Sequence, residues 1–120
     1  MNKEYSAVVT KNYRMEFSEF LEAAAGDEVE MGEEYTKHPD WKNWVWDRHL
    51  RTGLSGWIPG PRLTFQSKQK PVFNLPYSSA ELNATEGETL LVMKELNGWA
   101  WCKNKNGQEG WIPLENLKRL

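Results

Sequence analysis

The sequence predicts an all-β chain made of two small five-stranded barrels in tandem. Three observations carry that prediction: an ordered internal repeat, short apolar or β-branched runs at close spacing, and Gly turn signals between them. Gly56-Trp57-Ile58-Pro59 returns 54 residues on as Gly110-Trp111-Ile112-Pro113. Trp44-Val45-Trp46 returns as Trp99-Ala100-Trp101 at an offset of 55. Leu21 to Gly26 lines up with Leu82 to Gly87 at 61, and Leu63 with Leu117 at 54. The order holds while the offset falls, as it does when the first of two copies has the longer loops. The polar run Gln66-Ser67-Lys68-Gln69-Lys70 marks the expected joint, which gives copies spanning 1–65 and 66–120.

The second copy shows its elements most clearly. Thr89 to Met93 is a β-branched and apolar run entered from Glu86-Gly87-Glu88. Asn97-Gly98 supplies the positive φ of a hairpin turn, and Trp99 to Cys102 is the next strand. Asn104 to Gly107 is a second turn, followed by a strand over Glu109 to Ile112 that Pro113 ends. The first copy repeats this with Val29 to Met31, Trp44 to Trp46, the turn Thr52-Gly53, and Gly56 to Ile58. Phe17 to Ala25 has local helical propensity, but its counterpart Ser78 to Glu86 does not, so no helix is assigned.

Composition narrows the function classes. The chain has 120 residues, a net charge of −2 and 39% apolar residues. Seven Trp, four Tyr and four Phe argue for a packed core rather than disorder. No apolar run reaches the ~18 residues of a membrane-spanning helix, so no membrane role is expected. The start, Met1 to Tyr5, lacks the apolar centre of a secretory signal, which makes the cytoplasm the expected compartment. A single cysteine, Cys102, excludes an internal disulfide and reads as a small buried hydrophobe. His38 and His49 lack a ligand constellation at metal spacing, so no metal and no cofactor are expected. No phosphate loop, nucleophile elbow or paired-acid motif suggests an enzyme. Nucleic acid is not the expected partner, because a polyanion needs a Lys/Arg excess the chain does not have. The acids Glu16, Glu19, Glu22, Asp27, Glu28, Glu30, Glu33 and Glu34 follow one another without an intervening base. They read first as a solvated face and second as a footprint for a basic partner.

Each copy resembles an SH3 (Src-homology 3) domain of the variant type, in a tandem arrangement of bacterial kind. The second copy carries Glu81-Leu82, Gly87-Glu88, Gly98-Trp99, Gly110-Trp111-Ile112-Pro113 and Leu117 at the family's spacing. The first carries Leu21, Gly26-Asp27, Trp44, Gly56-Trp57-Ile58-Pro59 and Leu63, with a loop before Trp44 longer by six residues that contains His38-Pro39-Asp40-Trp41. The resemblance implies a non-enzymatic module that docks a Pro-containing protein segment in a polyproline II conformation against aromatic rings.

Carried over position by position, the groove tryptophans are Trp44 and Trp99, and the aromatics before Ile-Pro are Trp57 and Trp111. The groove prolines are Pro59 and Pro113, and the ligand-selecting acid is Glu81, where the first copy has Phe20. Tyr13 stands at the second tyrosine of the family's opening strand, and Tyr77 is its counterpart in the second copy. The family's late Tyr is replaced by Arg62 and Asn116. The working groove is expected in the second copy, lined by Tyr77, Trp99, Trp111 and Pro113 beside Glu81. Trp46 and Trp101 read first as packing residues and second as extra ligand platforms. The alternative function is a structural or oligomerisation unit whose aromatic faces pack on each other or on a second chain.

Overall fold

The structure is a computed structural model that describes residues 4–15, 19–38, 41 and 43–120. Twelve short strands account for nearly all its regular structure: β1 (Tyr5–Val9), β2 (Glu22–Ala23), β3 (Val29–Glu30), β4 (Trp44–His49), β5 (Ser55–Pro59), β6 (Leu63–Thr64), β7 (Val72–Phe73), β8 (Tyr77–Ser78), β9 (Thr89–Leu96), β10 (Trp99–Lys103), β11 (Glu109–Pro113) and β12 (Leu117–Arg119). Single 3-10 turns at Gly60–Arg62 and Leu114–Asn116 lead into β6 and β12. The chain is all-β. Of the stretch with helical propensity, Phe17 and Ser18 lie outside the described residues, as do Glu16, Pro39 and Asp40; Glu22–Ala23 within that stretch is a strand.

The chain divides into two compact units, but not at the expected joint. Unit 1 is Met1–Ser18 together with Ala80–Leu120, and unit 2 is Glu19–Ser79. Unit 1 holds a five-stranded sheet in the order β11-β10-β9-β1-β12. The alternation in β10 shows why the sequence folds this way: Ala100 and Cys102 are fully buried while Trp99 and Trp101 stay half-exposed on the other face. Ala7, Val9, Leu82, Ala84, Leu90, Val92 and Ile112 complete the core. Asn97 and Gly98 both take positive φ at the β9–β10 turn, as a two-residue hairpin requires.

Unit 2 reproduces the order with shorter pairings. β3-β4-β5 form one sheet, β6 pairs β7, and a bridge between Glu28 and Val72 links them. In place of two five-stranded barrels there is one open five-stranded sheet and one set of smaller sheets. Register by register the units agree: Trp44 faces Pro59 as Trp99 faces Pro113, Trp46 faces Trp57 as Trp101 faces Trp111, and Asp47 faces Gly56 as Cys102 faces Gly110. The glycine of the second Gly-Trp-Ile-Pro motif is required by a close approach, since a Cβ at Gly110 would lie 2.7 Å from the Glu81 carbonyl carbon.

The strand that fills β1's place in unit 2 is β7, where the sequence sets a joint at 65/66. In unit 1, Gly87 N–H donates to Val9 O (2.8 Å), Val9 N–H to Glu88 O (2.8 Å) and Thr10 N–H to Asn116 O (2.8 Å). In unit 2, Gly26 N–H donates to Phe73 O (2.7 Å), Phe73 N–H to Asp27 O (2.9 Å) and Asn74 N–H to Arg62 O (2.9 Å). Gly26 and Gly87 share a φ of +91° at the matching turn. Thus residues 5–13, the opening of the first copy, complete the second copy's sheet, and residues 72–77 complete the first's. The polar run 66–70 is no linker between units. It is the loop of the β6–β7 hairpin, with Leu63 paired to Phe73 and Thr64 to Val72.

One polar pair distinguishes the buried residues of unit 2. Asp47 takes the inward position that Cys102 has in unit 1. Its Oδ1 accepts from Gly32 N–H (3.2 Å), while Oδ2 has no hydrogen-bond partner. Burial pushes its carboxyl from 3.8 up to about 6, against the lowering effect of the Gly32 N–H. Two residues on, His49 is also buried, with Nε2 2.8 Å from Asp27 Oδ2 and Nδ1 2.8 Å from Thr52 Oγ1. Asp27 is held down at about 2 by the Ala24 N–H, then His49, then Arg51. The two carboxylates act in opposite pH windows. Asp27's contribution is present above 3.8 and lost as pH falls toward 2, whereas Asp47 favours the folded state at low pH and ceases to as pH rises through about 6. Between pH 5 and 7.5 the Asp47 effect governs, and unit 2 should lose about 1 kcal/mol of stability across that range. Asp47→Cys, which installs the residue of the other unit, should remove this slope in urea titrations. An unchanged slope in the variant would contradict the assignment.

Candidate functional site

The site in unit 1 is assembled by the exchanged opening. Tyr13 is bridged to Ala84, with hydrogen bonds of 2.9 Å in both directions between their backbones. Its hydroxyl donates to Glu81 Oε1 (2.7 Å), and its ring meets Trp99 edge-on with centroids 5.7 Å apart at 85°. Trp99 is fixed by its place in β10 opposite Pro113, and Leu114 N–H donates to Gly98 O just before it. Asn116, at the family's late-Tyr position, is buried and donates from Nδ2 to the carbonyls of Lys11 (3.1 Å) and Asn12 (3.2 Å). It therefore ties down the segment that carries Tyr13. Arg14 adds to this by donating to Ala84 O (2.8 Å).

Tyr13, Glu81 and Trp99 are the half-buried members of this group, a pair of rings beside a carboxylate. Pro113 and Trp111 are buried, Trp111 being tied to Ala80 and Leu82 through backbone hydrogen bonds of 2.9 and 3.2 Å. The sequence sets Tyr77 in the groove of Trp99, a unit 1 residue; the structure does not assign it to that unit. It belongs to unit 2, where its hydroxyl donates to Trp57 O (2.7 Å) and its ring stacks on Phe73 at 5.8 Å. The reason is the exchange of openings: Tyr13 pairs with Ala84 where sequence order assigns Tyr77.

In unit 2 the matching positions are closed. Trp44 is 5% and Tyr77 6% exposed, and Pro59 is fully buried. The long loop before Trp44 runs along β4, with Tyr35 N–H donating to Trp44 O (2.7 Å) and Gly60 N–H to Asn43 O (2.7 Å). What unit 2 leaves half-exposed is a different aromatic set: Trp57 meets Trp46 at 5.1 Å and 68°, and Tyr35 at 5.2 Å and 88°. Tyr35 in turn meets Trp41 at 5.6 Å, and His38 stacks on Trp41 at 4.2 Å. Tyr35 was not singled out by the sequence, because it sits in the loop that has no counterpart in the other copy. Cys102 is inert by burial, which pushes its thiol up to about 12. Among the described residues no group of three or more His, Cys, Asp or Glu is placed to hold a metal ion.

The family model of the variant SH3 domain matches residues 73–120. Domains of this kind are generally protein-interaction modules and typically non-catalytic. No solved structure matches the chain. The family match takes Phe73 to Ser79 as the opening of the domain that ends at Leu120, whereas in the structure β1 and Tyr13 fill that place. Tyr13→Phe should therefore weaken unit 1 by about 1 kcal/mol. Hydrogen exchange checks the location: faster exchange at the Ala84 amide, with the Ala23 amide unaffected, is expected, and the reverse pattern would contradict the pairing.

Proposed function

We propose that this chain is a non-enzymatic binding protein of two SH3-like units, and that unit 1 holds the working groove for an extended, Pro-containing protein segment. The observation that carries this reading is the edge-on Tyr13–Trp99 pair with Glu81 at 2.7 Å from the Tyr13 hydroxyl. Flat rings held at fixed angles receive proline rings, whose polyproline II backbone is already ordered before binding. Glu81 supplies a charge for a flanking Arg or Lys, which adds mainly to on-rate and specificity. The variant SH3 match over residues 73–120 supports the class of function, because the residues of β9 to β12 and Glu81 fall within it. The cytoplasm is the compartment we assign.

The test is a calorimetric titration with a decapeptide of alternating Pro and Ala that ends in one Arg. Trp99→Ala removes a ring from the centre of the contact and should weaken binding about 30-fold. Glu81→Ala should weaken it by a few-fold and reduce its salt dependence. Trp44→Ala, at a buried position of unit 2, should leave affinity unchanged in protein that remains folded. A larger loss from Trp44→Ala than from Trp99→Ala would move the working groove to the other unit, and no binding by the wild type would favour a structural role.

A further inference from the structure

The two units carry the same tryptophan pair and opposite charges across from it. In unit 1, Trp101 and Trp111 meet at 5.3 Å and 75°, and Lys94 places its Nζ 5.7 Å from one ring and 5.8 Å from the other. Both distances are within the range at which a cation is drawn to an aromatic face. Lys94 reaches there because it lies directly opposite Trp101 in the β9–β10 ladder, and directly opposite residues share a face. In unit 2, Trp46 and Trp57 meet at 5.1 Å and 68°, nearly the same arrangement. The residue opposite Trp46 is Glu33, whose carbonyl accepts from Trp46 N–H (2.9 Å) beside the Glu34–Val45 bridge. At the position opposite the first tryptophan of the pair, one copy has a base and the other an acid.

We propose that the Trp46–Trp57 face of unit 2 is a seat for an arginine or lysine side chain of a partner polypeptide, with Glu33 as its counter-charge, and that unit 1 fills the corresponding seat with its own Lys94. The unit 1 geometry demonstrates that this ring pair accommodates a cation. Tyr35, edge-on to Trp57 at 5.2 Å, extends the aromatic face on its other side. The surroundings agree in sign: Glu34 is exposed on the same stretch, and unit 2 carries nine acids against seven bases, although Glu30 is engaged by Arg48 (3.9 Å) and Lys70 (3.8 Å). A basic side chain is the occupant that matches both the rings and this charge. The seat is built from unit 2 residues, whereas the Tyr13–Trp99 groove is built from unit 1 residues.

The test follows the indole N–H resonances of the full chain while acetyl-Gly-Arg-Gly-amide is titrated in at low ionic strength. Saturable shifts at Trp46 and Trp57 are expected. Glu33→Lys, which copies the arrangement of unit 1, should weaken that binding at least tenfold, whereas Glu22→Lys, an equal charge change at an exposed position elsewhere in unit 2, should change it less than threefold. Lys94→Glu should open the second seat and bring Trp101 and Trp111 into the titration. Trp99→Ala should leave the Trp46 and Trp57 shifts intact, which separates this proposal from the unit 1 groove. Equal losses in Glu33→Lys and Glu22→Lys, unmoved Trp101 and Trp111 in Lys94→Glu, or no saturable shift in the wild type would each overturn it.

Discussion

The rest of the structure depends on one backbone interaction, the insertion of an opening strand between two others. In unit 1, β1 lies between β9 and β12 and pairs with both. Without it, two strands would present unpaired N–H and C=O groups, an edge that invites association. The three hydrogen bonds that seat the opening recur in unit 2 with β7 in β1's place, at distances within about 0.1 Å of one another. Those bonds are made by backbone, so the choice of opening rests on the side chains it carries, Tyr13 meeting Glu81 and Trp99 in unit 1 and Tyr77 stacking on Phe73 in unit 2. The connection that results is an exchange of equivalent segments within one chain, the intramolecular form of domain swapping.

That exchange also decides where the functional side chains meet. Tyr13 enters unit 1 with β1 and finds Glu81 and Trp99, so a site of three residues draws on both ends of the sequence. Tyr77 enters unit 2 with β7 and β8 and donates to the Trp57 carbonyl. The two copies have since diverged in what they expose. Unit 1 leaves Tyr13, Glu81 and Trp99 half-exposed and holds Lys94 over its Trp101–Trp111 pair, while unit 2 buries Trp44 and Pro59 and leaves Trp46 and Trp57 half-exposed.

Much of this was legible in the sequence. The strands around Trp44, Trp57, Trp99 and Trp111 follow from alternation and turn chemistry, and the offset series reproduces the register pairs one by one. Ownership of the openings was not legible. Val8 and Tyr13 stand five positions apart, as do Val72 and Tyr77, so spacing does not tell the two openings apart. For want of that distinction, the polar run 66–70 was read as a joint although it is a hairpin loop. Burial of Trp44 was equally hidden. Its type and register match Trp99, so the sequence offers nothing to tell the two positions apart. The contrast of Glu33 with Lys94 was present in the aligned repeat, but its meaning needed the ladder partners Trp46 and Trp101.

The most direct test of the exchange is the folding of two fragments by circular dichroism melts and amide spectra. Residues 19–79 should fold alone, with dispersed resonances and a cooperative melt, since unit 2 is contiguous. Residues 66–120 lack β1 and should stay unfolded until a peptide of residues 4–15 is added. A fragment 66–120 that folds cooperatively by itself, with 19–79 unfolded, would contradict the account.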